Sequence, residues 1–243
     1  MSKRQQIRER NRRQQTRNRI IMIIVLVGLA LLVTAFFIYQ NAQTSSNVSA
    51  ITPLPPVTRT APLNGTSMGD PNAKVKMDVY EDFQCSGCMY YTKDTEPQVI
   101  QQFVDTGKIL YTFHYYPFID GGQGESHDSA NAAACANEQS RFWDYHDILY
   151  LNWKGENVGS FTPAKLKAYA ESLKLDMTAF NSCFASKKYA AEIQKDVTAG
   201  SAIGVPPTPG IFVNGKMVTS SAGANLIPSV DDIGKAIAAA AAQ

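Results

Sequence analysis

The sequence predicts an α/β domain with an inserted helical region, carried behind one N-terminal membrane-spanning helix. Three observations predict it. Residues 20–39 form an unbroken apolar run. An alternating stretch, Lys74–Phe83, leads directly into Cys85-Ser86-Gly87-Cys88 and a helix-patterned segment. Between Phe118 and Thr208 lie about 90 residues with helical periodicity and no good strand, followed by a pair of short strands.

The N-terminus is basic. Residues 1–19 hold eight Lys/Arg and one Glu, so the formal net charge of +2 conceals a remainder with fifteen basic and twenty acidic residues. That remainder excludes a general nucleic-acid surface, which needs Lys/Arg clustered on a folded face. A length of 243 residues, 44% of them hydrophobic, excludes a disulfide miniprotein and a disordered chain.

The apolar run Ile20–Tyr39 has twenty residues. At about 1.5 Å each they cover about 30 Å, the hydrocarbon thickness of a bilayer. A cleavable signal peptide has a shorter apolar region, roughly 7–15 residues, and a small-residue cleavage site. Here the run ends in Phe37, Ile38, Tyr39 and Gln40. It reads as an uncleaved anchor, against a cleaved signal peptide or a buried core helix. By the positive-inside rule residues 1–19 stay in the cytoplasm and everything after Tyr39 is extracytoplasmic. The expected location is the cell membrane, single-pass.

Residues 40–68 carry Pro53, Pro55, Pro56 and Pro62 among Gln, Ser, Thr and Asn. They have no core periodicity and read as a disordered linker. The folded domain is expected over 69–243, with structure starting near Asp70.

In Lys74–Phe83 the apolar residues Val75, Met77 and Val79 alternate, which is a strand signature. The following Cys-x-x-Cys puts one sulfur at a helix N-terminus, where free N–H groups and the dipole favour a thiolate. The second sulfur lies one turn on, close enough for a disulfide. Ser86 and Gly87 supply no charge, so a lowered pKa must come mainly from the helix end and from groups elsewhere. Competing readings are an inert disulfide, half of a zinc site and a Cu(I) site. Zinc wants a second ligand pair. Cys135 and Cys183 are isolated, and His114, His127 and His146 form no paired motif, so no metal site is expected.

His114 falls in a strand at Ile109–Tyr116 and reads as an ordinary side chain. Ser126–Tyr150 has apolar residues at helical spacing, and Phe142, Trp143 and Tyr145 read as core. Thr162-Pro163 opens a further helix as N-cap and first residue. Short helical stretches follow from Asp176 and Ser186, and Ser229–Ala241 closes the chain as a helix. Before that tail come Gly204-Val205-Pro206-Pro207-Thr208-Pro209-Gly210, the strand Ile211–Val213, the tight-turn pair Asn214-Gly215 and a return strand. The Thr208-Pro209 bond can be cis, but spacing does not establish it.

These motifs together resemble the DsbA-like branch of the thioredoxin superfamily, in particular its membrane-anchored bacterial members. The resemblance covers about residues 70–240 and rests on Glu81-Asp82-Phe83-Gln84-Cys85 leading into Cys-x-x-Cys and on the Gly-Val-x-x-Thr-Pro-x-x-Phe-Val-Asn-Gly run. It implies a thioredoxin-like fold with a helical insertion at about 122–203. It implies a thiol–disulfide oxidoreductase in which Cys85 is the attacked sulfur, Cys88 the buried resolving one and Pro209 a cis-proline facing the pair. Thr208, Ser86 and Gly87 would meet the substrate. Asp82 is the candidate proton-relaying acid beside the cysteines. No cofactor beyond the redox-active disulfide is implied. The implied partners are exported polypeptides and a quinone-linked membrane reoxidant. Strongly oxidising members carry Pro-His where this chain has Ser86-Gly87. A reductase or isomerase is the alternative within the class, and a metal-binding chaperone on the same scaffold is the alternative outside it.

If Cys85 pairs with Cys88, only Cys135–Cys183 remains. An oxidising compartment permits that bond. Closing about 48 residues would contribute roughly 4 kcal/mol in the chain-entropy model. The alternative is two buried thiols packed as small apolar groups.

Overall fold

The computed structural model describes residues 17–36, 51–120, 124–223 and 226–243. The chain divides into two compact units, Met1–Ser49 and Ala50–Gln243. In the first, helix α1 (Arg17–Phe36) is long and apolar enough to cross a membrane. Its Ile, Leu, Val and Phe side chains are exposed. It starts inside the basic segment. Residues 1–16 and 37–50 lie outside the described residues. With them go most of the basic segment, the last three residues of the apolar run and the first part of the expected linker.

The second unit is built on one six-stranded sheet. Its strands are β1 (Leu63–Asn64), β2 (Ser67–Gly69), β3 (Val75–Glu81), β4 (Ile109–Tyr115), β5 (Gly210–Val213) and β6 (Lys216–Met217). They lie in the order β1-β2-β4-β3-β5-β6. Only β3 and β4 run parallel, with Met77 opposite Tyr111 and Val79 opposite Phe113. A parallel pair needs a crossover. Here it is a helical run made of α2 (Ser86–Tyr90), a π-helical turn (Tyr91–Thr95), α3 (Glu96–Val99) and a second π-helical turn (Ile100–Val104). Pro97 explains the first widening, because its ring clashes with the carbonyl one turn back and it has no N–H to donate. Along β4 the buried and half-buried residues alternate, and Ile109, Tyr111, Phe113 and Tyr115 face the core. Burying such side chains is worth about 1.5–3 kcal/mol each. Asn214 and Gly215 both take positive φ, 46° and 75°, as a tight hairpin turn requires.

Among the described residues, five helices form the insertion: α4 (Glu125–Asn137), α5 (Phe142–Leu151), α6 (Pro163–Ser172), α7 (Met177–Ala185) and α8 (Ala190–Ala202). The continuous helix expected over Ser126–Tyr150 is broken in two. Ser140 adopts a left-handed φ of 57° after α4, a conformation that ends a helix. Cys135 on α4 and Cys183 on α7 are joined by a disulfide, with Cα atoms 5.8 Å apart. Thr162 stands at the N-cap of α6 ahead of Pro163, though its side chain makes no capping bond. The last helix, α9 (Val230–Ala241), opens with a capping box between Ser229 and Asp232.

The folded domain begins well before Asp70, in contrast to the linker expected through residue 68. Thr52 N–H donates to Asn152 Oδ1 at 2.6 Å. Arg59 pairs with Asp144 and Asp147 of α5. Met68 is buried, and β2 adds to the free edge of β4. The partners of Thr52 and Arg59 lie 85 to 100 residues away in sequence, so no local pattern marks the segment as structured.

Candidate active site

The site forms where β3 ends. Asp82 ties the following turn together. Its Oδ1 accepts the Gln84 N–H at 2.8 Å. Its Oδ2 accepts the Phe118 N–H at 2.9 Å, the Ile119 N–H at 3.1 Å and the Ser126 hydroxyl at 2.8 Å. Gln84 is fully buried and locks the turn to the insertion. Its side chain donates to Ser126 Oγ at 3.0 Å and accepts the Asn157 N–H at 2.6 Å, and its carbonyl accepts the Trp153 Nε1–H at 2.8 Å. The insertion therefore sets the position of the Cys-x-x-Cys segment.

Cys85 is the N-cap residue of α2, in extended conformation. In this structure Cys85 and Cys88 form a dithiol. Cys85 keeps 8% exposure and Cys88 none, so only the first sulfur can be reached from outside. The Cys85 thiol donates to the Thr208 carbonyl at 3.2 Å, and the Thr208-Pro209 bond is cis. Ser86 N–H donates to Glu156 Oε1 at 3.2 Å, and Gly87 faces the Thr208-Pro209 loop. Thus Cys85, Ser86, Gly87, Cys88, Thr208 and Pro209 converge. Cys135 and Cys183 form their separate bond in the insertion.

The two thiols are electrostatically unlike. The Cys85 pKa is lowered to about 6. The Cys88 thiol contributes most, then the Thr208 hydroxyl, then the N–H groups of Cys88 and Gly87, against an opposing effect of burial. The helix end therefore helps, after the Cys88 thiol and Thr208. Cys88 is raised well above the ordinary thiol range, first by burial and then by Cys85 and Glu81.

Asp82 is raised by burial, although its four hydrogen bonds counter that rise. The acid that lies against the Cys88 thiol is its neighbour Glu81. Glu81 accepts the Tyr150 hydroxyl at 2.8 Å, and burial lifts its pKa to about 8. Sequence reasoning quoted Glu81 and Gln84 in the lead-in to the cysteines without giving them a role, and it missed Trp153 and Glu156. An alternation count along β3 could have found Glu81, because it continues the inward-facing register of Val75, Met77 and Val79.

A cavity of about 180 Å³ sits beside the cis-proline, lined by Pro206, Thr208, Pro209, Ile211, Val218 and Leu226 among others. A larger one of about 700 Å³ contains neither reactive cysteine and lies against α2, α3 and α5, under Leu54 and Arg59.

A family model described as thioredoxin matches residues 63–232. The chain belongs to the thioredoxin family. It is 32% identical over 180 residues to the Na(+)/H(+) antiporter NhaA 1 of Salinispora arenicola, covering 67% of this chain and 26% of the antiporter. The chain thus spans about a quarter of that relative's length. It is 27% identical over 173 residues to the probable disulfide bond formation protein D of Bacillus anthracis, covering 70% of this chain and 76% of that protein. Among solved structures, oxidised BdbD from Bacillus subtilis superimposes with a TM-score of 0.65 at 22% identity, covering 77% of this chain and 98% of that one. DsbA proteins from Chlamydia trachomatis and Wolbachia pipientis also share the fold.

Proposed function

We propose that the chain is an extracytoplasmic thiol–disulfide oxidoreductase, anchored by α1, that donates the Cys85–Cys88 disulfide to exported proteins. The observation that carries this reading is the asymmetry of the pair. Cys85 is reachable with a pKa lowered to about 6, and Cys88 is enclosed with its pKa raised.

The cycle follows from that asymmetry. A substrate thiolate attacks Cys85 Sγ of the oxidised enzyme. The Cys85–Cys88 bond breaks, a substrate–Cys85 disulfide forms, and Cys88 leaves with the electron pair and takes up a proton. A second substrate thiolate then attacks the substrate sulfur, and Cys85 departs as a stabilised thiolate. The substrate loses two electrons and gains a disulfide, and the enzyme is left as a dithiol. A quinone-linked membrane oxidant would restore it. Thr208 and the cavity beside Pro209 would align an extended substrate segment by strand-like addition. The names of the Bacillus relatives support oxidation as the direction, as does a low-pKa leaving thiol.

The test is the reduction potential of the full chain in detergent, read against glutathione buffers. A value far above thioredoxin's approximately −270 mV, toward DsbA's approximately −120 mV, is expected. A value at or below thioredoxin's would replace donation with reduction. Cys88→Ala should accumulate mixed disulfides on non-reducing gels, and their absence would count against Cys85 as the attacked sulfur.

A further inference from the structure

Behind the redox pair three elements bring together two carboxylates and an imidazole. Glu81 ends β3, Glu96 begins α3 and His146 lies in α5. One ligating atom from each falls within 4.8 Å of the others. All three side chains are more than nine-tenths buried, at 1%, 4% and 0% exposure. Each carries a buried atom with no hydrogen-bond partner: Glu81 Oε1, Glu96 Oε1 and His146 Nε2. Buried polar atoms are nearly always partnered, so three orphans in one place ask for a ligand.

The surroundings fit one kind. Asp147 Oδ1 stands 3.0 Å from His146 Nδ1. A carboxylate only accepts, so Nδ1 carries the hydrogen and Nε2 presents its lone pair. This carboxylate–histidine arrangement is the one that orients metal-bound imidazoles. Tyr150 donates to Glu81 Oε2 at 2.8 Å and steers the other carboxylate oxygen inward. Among the described residues, neither Glu81 nor Glu96 has a Lys or Arg partner; Arg59 is taken by Asp144 and Asp147. An ionised carboxylate so enclosed costs several kcal/mol unless a cation compensates it, and without one burial raises the pKa of both carboxyls. The 700 Å³ cavity gives access, because Glu96, Asp147 and Tyr150 are in its wall.

We propose that Glu81, Glu96 and His146 bind a divalent transition-metal ion, Zn(II) foremost. Two carboxylates and one imidazole supply three ligands, and zinc accepts three with a fourth position open. Calcium and magnesium want six or more oxygen ligands, which this cage does not offer. The site does not depend on the redox reading, since neither Cys85 nor Cys88 is a ligand.

The test uses the full chain in detergent with Cys85 and Cys88 both replaced by Ser and stripped by a chelator. Zinc is titrated against a fluorescent indicator. One equivalent should bind. Glu96→Gln and His146→Gln should each weaken binding by at least about 100-fold, and Asp147→Asn by about 10–100-fold. No stoichiometric binding, or binding indifferent to Glu96→Gln and His146→Gln, overturns the site. If those variants fail to fold, Co(II) loaded into the Ser/Ser chain decides. Visible ligand-field bands without thiolate charge transfer support nitrogen and oxygen ligation, and their absence overturns it. Because the chain tested has no redox pair, failure here leaves the oxidoreductase reading untouched.

Discussion

Gly87 and Thr208 approach so closely that a Cβ on the glycine would stand 3.0 Å from the Thr208 carbonyl oxygen and 3.2 Å from Pro209 Cδ. The same Cβ would lie 3.5 Å from Cys85 Sγ. The φ of Gly87 is not in the left-handed region, so space rather than backbone freedom is what the position demands. Gly87→Ala should therefore push the Thr208-Pro209 loop away from the cysteines. Overpacking of this kind costs about 1–3 kcal/mol. Urea denaturation should show that loss together with a several-fold slower reaction with reduced peptide. Unchanged stability and rate would mean that the loop moves freely.

Cys85 should titrate near pH 6, and Thr208 should be part of the reason. The Thr208 hydroxyl is buried, and among the groups that lower the Cys85 pKa it follows only the Cys88 thiol. Ultraviolet thiolate absorbance and the pH dependence of alkylation both read the midpoint. Thr208→Val keeps the shape and the backbone carbonyl but removes the hydroxyl. It should move the midpoint upward and slow alkylation at pH 6 by several-fold. An unmoved midpoint would assign the depression to Cys88 and the backbone alone.

What the sequence showed and hid follows from contiguity. Cys85, Cys88, Thr208 and Pro209 were legible because each belongs to a short motif with its own turn chemistry. The helical insertion was legible from periodicity, apart from the break at Ser140. Asp82 was singled out as the working acid because it stands nearest the cysteines in the motif. The structure shows its carboxylate engaged by four donors, with Glu81 beside Cys88 instead. Glu81, Glu96 and His146 meet only through the fold, on three elements with a sequence separation of 65 from first to last, so no window contains them. Residues 51–68 were missed for a related reason. Strands of two and three residues carry no alternation to detect.

The Cys135–Cys183 bond joins α4 to α7 at a sequence separation of 48. Neither sulfur takes part in the reactive constellation. Replacing both cysteines with Ala should lower stability by about 2–5 kcal/mol, mostly by freeing the unfolded chain. Because α4 carries Ser126, which bonds to both Asp82 and Gln84, a smaller effect on turnover should follow on warming. Denaturation curves and rates at two temperatures would show it. A double variant as stable as the parent would mean that strain in the bond offsets its entropy.

His114 supplies a pH dependence of opposite sense to an acid's. It lies on β4 with Nε2 3.0 Å from Asp78 Oδ1 of β3 and Nδ1 3.6 Å from Asp196 Oδ1 of α8, and its ring stacks on Tyr80 at 4.6 Å. Burial opposes its charge, but Asp196 and Asp78 prevail and raise the pKa from 6.5 to about 9. The folded state then holds its proton where the unfolded chain has released it. Its stabilisation is complete below pH 6.5 and is lost as pH rises through about 9, at up to about 1.4 kcal/mol per pH unit. The measurement belongs on the oxidised chain, where Cys85 does not titrate. Urea unfolding at pH 6.5 and pH 9 should show the parent losing on the order of 2 kcal/mol more than His114→Gln. Equal slopes for parent and variant would show that the two aspartates do not hold the imidazole charged.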